Sequence, residues 1–194
     1  MAEDGFELVA LAASAGGLKA IAEVLGALPA GFPAAIVVVQ HLDPRHRSLM
    51  AEILGRRTAL RVKEAAEGDR LEPGTAYIAP PNRHLLVNPG GVLTLSQTEL
   101  VHFVRPSADL MFESTAAAYR ERAIAVVLSG SGQDGAMGVR AIKKMGGTVI
   151  VQEPRNAEFA GMPEAALATG AADFVLAVDE IAPALQRLCS PGND

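Results

Sequence analysis

The chain has 194 residues, of which 49% are hydrophobic and 20% charged, which excludes global disorder and suits one domain of ordinary size. Aromatic residues make 4% and tryptophan is missing, so the core must be built from Ala, Val, Leu and Ile. A formal net charge of −5, without a basic run, speaks against a nucleic-acid partner. The lone cysteine, Cys189, cannot pair within the chain and suits a reducing compartment. No run approaches the ~20 apolar residues that span a bilayer. The start, Met1-Ala2-Glu3-Asp4-Gly5, is acidic where a signal peptide is basic. A cytoplasmic protein with no membrane insertion is expected.

In chain order, residues 6–12 read as a strand and 18–28, after Gly16-Gly17, as a helix. A strand follows over 34–39 and a helix over 48–57. Between Thr75 and Gln97 the rhythm breaks. Residues 76–79 and 84–95 suggest two or three short antiparallel strands, with a turn at Asn88-Pro89-Gly90-Gly91. Ser107 is an N-cap candidate for a helix over 107–122. A strand over 123–128 and a helix over 136–145 follow, the helix stopped by Gly146-Gly147. A strand at 148–151, a helix at 163–169 with Pro at its start, a strand at 173–176 and a helix at 181–188 complete the chain. The runs at 6–12, 34–39 and 123–128 are continuously apolar, as in strands buried on both faces of a parallel sheet. The expectation is an α/β fold: a doubly wound, mostly parallel sheet with flanking helices, Rossmann-like, carrying a small antiparallel β excursion. It is expected to form one domain over 1–194, with its core over about 6–188.

Ligands of such sheets sit beyond the carboxyl ends of the strands. Ser14 follows the first strand, Gln40 and His41 the second, and Ser129-Gly130-Ser131-Gly132-Gln133-Asp134-Gly135 the run ending at Leu128. A hydroxyl, an imidazole and a carboxylate thus leave the same edge, which are the groups of a serine hydrolase. The imidazole deprotonates Ser14, and the carboxylate orients the imidazole. The glycines after Ser14 allow a sharp turn into a helix whose first N–H groups can face an oxyanion, with Ala15 and Ser131 as further donors. The order Ser, His, Asp is not that of α/β-hydrolases, and Ala12 replaces the first glycine of G-x-S-x-G.

Each group alone has a plainer reading: Ser14 as an N-cap, Asp134 as a turn residue. Their coincidence at three strand ends favours catalysis. Two other readings compete. Gly130 to Gly135 is a literal G-x-G-x-x-G, with Glu153 near the ribose-binding position, but Asp134 would oppose a pyrophosphate. His41, Asp43 and His46 could ligate a metal, although Arg45 and Arg47 would repel it and a solvated turn is the better reading. His84 and His102 have no identifiable partners in the sequence. Arg56-Arg57 reads as a solvent-facing helix end.

The chain resembles the catalytic domain of the chemotaxis protein-glutamate methylesterases, the CheB type, from about Leu8 to Leu188. The blocks are Ala13-Ser14-Ala15-Gly16-Gly17, Val38-Val39-Gln40-His41-Leu42, Tyr77-Ile78-Ala79-Pro80-Pro81, Arg105-Pro106-Ser107-Ala108-Asp109 and Leu128 to Ala136, supported by Phe159-Ala160-Gly161-Met162-Pro163-Glu164-Ala165. The resemblance implies a Ser14–His41–Asp134 triad, with Ala15, Gly16 and Ser131 lining the oxyanion and substrate side. It implies no cofactor and no metal. The implied reaction is hydrolysis of γ-glutamyl methyl esters on a methylated chemoreceptor or other sensor protein, releasing methanol, with glutamine deamidation as a further activity. Family members often carry an N-terminal receiver domain; none is expected here, so regulation would fall to a separate protein. Ser131 stands where two-domain members often have Met, and Ala15 where Thr is frequent. A catalytically silent receptor-binding module and a dinucleotide-binding domain remain as alternatives.

Overall fold

The computed structural model describes residues 5–43 and 45–190. Residues 1–4, the acidic start noted above, and Pro44 of the 41–46 cluster lie outside it. The strands are β1 (Leu8–Ala13), β2 (Ala35–Gln40), β3 (Arg61–Glu64), β4 (Thr75–Ile78), β5 (His84–Asn88), β6 (Val92–Ser96), β7 (Ala123–Val127), β8 (Thr148–Gln152) and β9 (Phe174–Leu176). The helices are α1 (Gly17–Gly26), α2 (Met50–Gly55), α3 (Ala108–Tyr119), α4 (Ala136–Lys144), α5 (Gly161–Ala168) and α6 (Val178–Cys189). Seven strands form one parallel sheet in the order β3-β4-β2-β1-β7-β8-β9.

Every residue of β1, β2 and β7 is buried. Alternation divides their side chains between two cores. Leu8, Ala10 and Ala12 face α3, α4 and α5, among Phe112, Ile142 and Ala166. Val9, Leu11 and Ala13 face α1, α2 and α6, among Ile21, Leu54 and Leu185. Two covered faces leave no polar side for a strand to show, which is why these runs are unbroken. The chain turns from one half of the sheet to the other between β1 and β7, so the crevice for a ligand opens there.

Three expectations change. The run at 76–79 is not antiparallel: β4 lies inside the main sheet, parallel to β2 and β3, with all four residues buried. Only β5 and β6 are antiparallel, and they form a separate two-stranded sheet. Leu85, Val87 and Leu93 join it to the core beneath α3, and the Val87 N–H donates to Ser114 Oγ (3.0 Å). The edge strand β3, Arg61-Val62-Lys63-Glu64, gave no apolar signal because it is only partly covered. Finally, α6 starts three residues before the expected 181, where the Glu180 carboxylate accepts the Ala177 N–H (2.9 Å).

Candidate active site

Ser14 leaves β1 in the crevice. Its N–H donates to the Ser129 carbonyl (3.0 Å), stitching β1 to the loop after β7. Its carbonyl accepts the Gly17 N–H (2.8 Å) and Gln40 Nε2 (2.8 Å). Gln40 Nε2 also donates to the His41 carbonyl (3.1 Å), so one amide holds the backbones of both residues. Two glycines are required here. Gly16 sits at φ 71 as the N-cap of α1. A Cβ on Gly17 would fall 2.1 Å from Gln40 Oε1. Among the described residues, the N–H groups of Ala15, Gly16 and Ser131 donate to no protein acceptor. Ala15 and Gly16 follow Ser14 directly, and Ser131 follows Gly130, where a Cβ would fall 3.0 Å from the Ser14 Cβ.

His41 follows β2 directly. Its Nε2 lies 2.7 Å from Asp134 Oδ2, with the two side chains 14% and 3% exposed. Asp134 is gripped at the N-terminus of α3. It accepts Ser107 Oγ–H (3.1 Å) and the Asp109 N–H (3.0 Å) on Oδ1, and the Ala108 N–H (2.6 Å) on Oδ2. Burial alone would push its carboxyl up. The His41 hydrogen bond and the Ala108 and Asp109 N–H groups outweigh that and hold it below the usual range. An ionised Asp134 fixes His41 as the Nε2–H tautomer, leaving the Nδ1 lone pair bare. Neither Nδ1 nor Ser14 Oγ has a protein partner among the described residues.

Behind Asp134 runs a buried chain. The Ser107 N–H donates to His84 Nδ1 (3.1 Å), and His84 Nε2 donates to the Glu99 carbonyl (2.9 Å). Asp109 mirrors Asp134: its Oδ1 accepts the Gly135 and Gly138 N–H groups (3.0 and 2.7 Å) at the start of α4. Burial pushes its carboxyl up, and the Asp134 charge adds to that. Each helix start is therefore capped by a carboxylate from the other's segment.

The structure thus brings Ser14, His41 and Asp134 to one edge of three neighbouring strands, with Ala15 and Gly16 next to Ser14 in the chain and Ser131 in the loop after β7. It contradicts the partnerless reading of His84, and of His102, whose Nε2 lies 3.2 Å from Asp109 Oδ2. The G-x-G-x-x-G loop leaves no place for a pyrophosphate, because Asp109 already occupies the N-terminus of α4. Asp43 is engaged by Arg45 (2.8 Å), which also holds its carboxyl well below the usual range. Among the described residues no three of the His, Cys, Asp and Glu side chains gather to hold a metal. Sequence reasoning missed the roles of Gln40, His84 and Asp109, and saw Ser107 only as a cap. The one available signal was an acidic residue in the first turn of a helix that begins Pro106-Ser107.

A family model described as CheB methylesterase matches residues 9–185. The chain is 38% identical over 183 residues to a putative protein-glutamate methylesterase/protein-glutamine glutaminase of Leptospira interrogans, covering 94% of this chain and 95% of that one. It is 42% identical to a protein-glutamate methylesterase/protein-glutamine glutaminase of Moorella thermoacetica, covering 95% of this chain and 44% of that one. It is also 42% identical to the protein-glutamate methylesterase FrzG of Myxococcus xanthus, covering 94% and 54%. The chain thus spans about half of the last two. The crystal structure of the Thermotoga maritima CheB methylesterase catalytic domain superposes with a TM-score of 0.91 at 36% identity, covering 94% of this chain and 98% of that one. This chain belongs to the CheB methylesterase family.

Proposed function

We propose that this chain hydrolyses γ-glutamyl methyl esters of a methylated chemoreceptor, with Ser14 as nucleophile, His41 as general base and Asp134 as the group that orients it. Ser14 Oγ attacks the ester carbonyl while His41 Nδ1 takes its proton. The Ala15, Gly16 and Ser131 N–H groups face the developing oxyanion. The imidazolium is stabilised by Asp134 and returns its proton to the leaving methoxide, releasing methanol. Water, deprotonated by His41, then attacks the glutamyl-Ser14 ester and frees glutamate. The observation that carries this reading is the partly buried 2.7 Å His41–Asp134 pair at the end of the strands that flank Ser14. Deamidation of glutamine is the second reading, since the Leptospira and Moorella relatives are also named glutaminases. The acyl-enzyme is the same, and ammonia leaves instead of methanol.

The test is methanol release from methylated receptor cytoplasmic fragments, beside labelling by a fluorophosphonate probe. Wild type is expected to release methanol and to be labelled at Ser14, and Ser14→Ala to do neither while melting as wild type does. Equal release by Ser14→Ala overturns the assignment. No release and no labelling of wild type would leave a silent binding module.

A further inference from the structure

Six of the eight exposed large hydrophobic side chains among the described residues, Leu18, Leu49, Leu100, Phe103, Met137 and Phe159, stand on segments at the edge that carries Ser14 and His41. The other two lie on the edge strand β9. Phe103 is the extreme case, at 94% exposed. It sits in a two-residue turn closed by hydrogen bonds between Val101 and Val104 (3.1 and 2.9 Å). The central residues, His102 and Phe103, have φ of 49 and 65. Such a turn favours Asn-Gly. A bulky aromatic there is strained, and this one gains no burial in return. The turn is nevertheless fixed from both sides. His102 reaches Asp109, and the Arg105 guanidinium donates to Asn82 Oδ1 (2.7 and 2.9 Å) and to the Thr98 carbonyl (2.8 Å). The turn thus presents the ring to water, beside a hollow of about 170 Å³ that His41 and Leu42 share with Leu100 and Phe103.

We propose that Phe103, with Leu42 and Leu100, is the apolar anchor that seats the polypeptide carrying the esterified glutamate, and so sets the preference of this site for a protein substrate. The inference rests on the methylesterase reading. A γ-glutamyl ester carbonyl hangs from its backbone on a short methylene tether. Delivering it to Ser14 brings the substrate chain down onto the mouth, and the side chains beside the glutamate meet whatever lines it. On this side the lining is mainly apolar, Leu42, Leu100, Phe103, Val104 and Pro106, and the polar Asn82 and Arg105 are engaged with one another. An aromatic side chain carries large apolar area on only two side-chain torsions, so it loses little freedom on binding, which is the property of an interface hot spot.

Phe103→Gly is the deciding variant, because removing the ring also relieves the strain at φ 65. It is expected to melt above wild type and to lose about ten- to a hundredfold in kcat/KM on the methylated receptor fragment, mainly through KM. Phe103→Tyr is expected to keep kcat/KM. Labelling of Ser14 by the small fluorophosphonate probe is expected to proceed at the wild-type rate in both. Unchanged kcat/KM in Phe103→Gly overturns the anchor while leaving the methylesterase reading intact. An equal fall in labelling overturns it too, since Phe103 would then act on the catalytic groups. A wild type that dimerises and a monomeric Phe103→Gly variant of unchanged kcat/KM would assign the ring to a second copy instead. If wild type itself neither releases methanol nor is labelled, the methylesterase reading fails and the anchor falls with it.

Discussion

Replacing Asp134 by Asn removes a charge and one acceptor face from a side chain that serves both His41 and the start of α3. The carboxylate meets four donors: Ser107 Oγ–H and the Asp109 N–H on Oδ1, the Ala108 N–H and His41 Nε2 on Oδ2. An amide placed with its NH2 toward Ala108 and His41 faces two donors. The opposite orientation keeps both bonds and leaves only the Asp109 N–H unpaired, since the Ser107 hydroxyl can rotate to accept. One unpaired buried N–H costs about 1–3 kcal/mol, and losing the charge at a buried helix start adds up to ~2 kcal/mol. The sum of about 1–5 kcal/mol corresponds to a fall in Tm of roughly 2–20 °C for a chain of this size. Turnover should fall by about 10⁴-fold, because the imidazolium loses its counter-charge. The pH dependence has a defined sign. The Asp134 carboxyl lies below its usual range in the fold, so its contribution is complete above the ordinary Asp pKa of about 3.9. It is lost as pH falls through the folded value. The gap between wild type and Asp134→Asn should be constant near neutrality and should shrink on acidification. Thermal melts across pH, beside methanol release at neutral pH, measure both. A variant that melts within about 1 °C of wild type, or a gap that persists into acid, would refute the capping argument.

Three further outcomes are expected. Gln40→Ala frees the Ser14 and His41 carbonyls; it should lose about 1–3 kcal/mol in urea unfolding and lower kcat more than it raises KM. His84→Leu leaves the Ser107 N–H unpaired in a buried site and takes from the Glu99 carbonyl, on an exposed residue, its partner; a loss of about 1–3 kcal/mol is expected, and a midpoint equal to wild type would show that the chain behind Asp134 bears no load. Cys189 is buried with its thiol pushed up to about 12 by burial, so an alkylating reagent at neutral pH should label it only as fast as the chain unfolds.

What could be read from the sequence follows from what each segment does with its neighbours. The strands β1, β2 and β7 were legible because both faces are covered, and the polar residues that follow them stand out against unbroken apolar runs. Ser14, His41 and Asp134 were singled out that way. The direction of β4 was not legible, because a four-residue apolar run is the same whether its neighbours are parallel or antiparallel. Gln40 was noted only as a residue following the second strand, and His84 looked like an ordinary strand residue. Their partners lie 26 and 23 residues away, and only the fold brings them together. The turn at Val101 to Val104 gave no signal at all, since neither His102 nor Phe103 is a residue that such turns favour.

The placement of Asp134 explains why the chain order Ser, His, Asp is no obstacle to catalysis. Adjacent strands lie about 4.8 Å apart, so the residues that follow β2 and β7 begin about 10 Å apart, with Ser14 between them. His41 cannot meet a carboxylate standing directly on the end of β7. The loop after β7 therefore arches away, with its Gly130 tied to Phe159 and Met162. Asp134 is then caught by the first N–H groups of α3. Its position is set by a helix that precedes β7 in the chain, not by β7 itself. The return contact, Asp109 on the start of α4, locks the two helix starts together. These two carboxylates are near neighbours, and like charges cannot both be favoured there. The conflict resolves in one direction: His41 and three donors draw the charge to Asp134, while burial and that charge push the Asp109 carboxyl up. The carboxyl whose ionised form is favoured is the one in contact with the imidazole, which is the condition a base-orienting acid must meet.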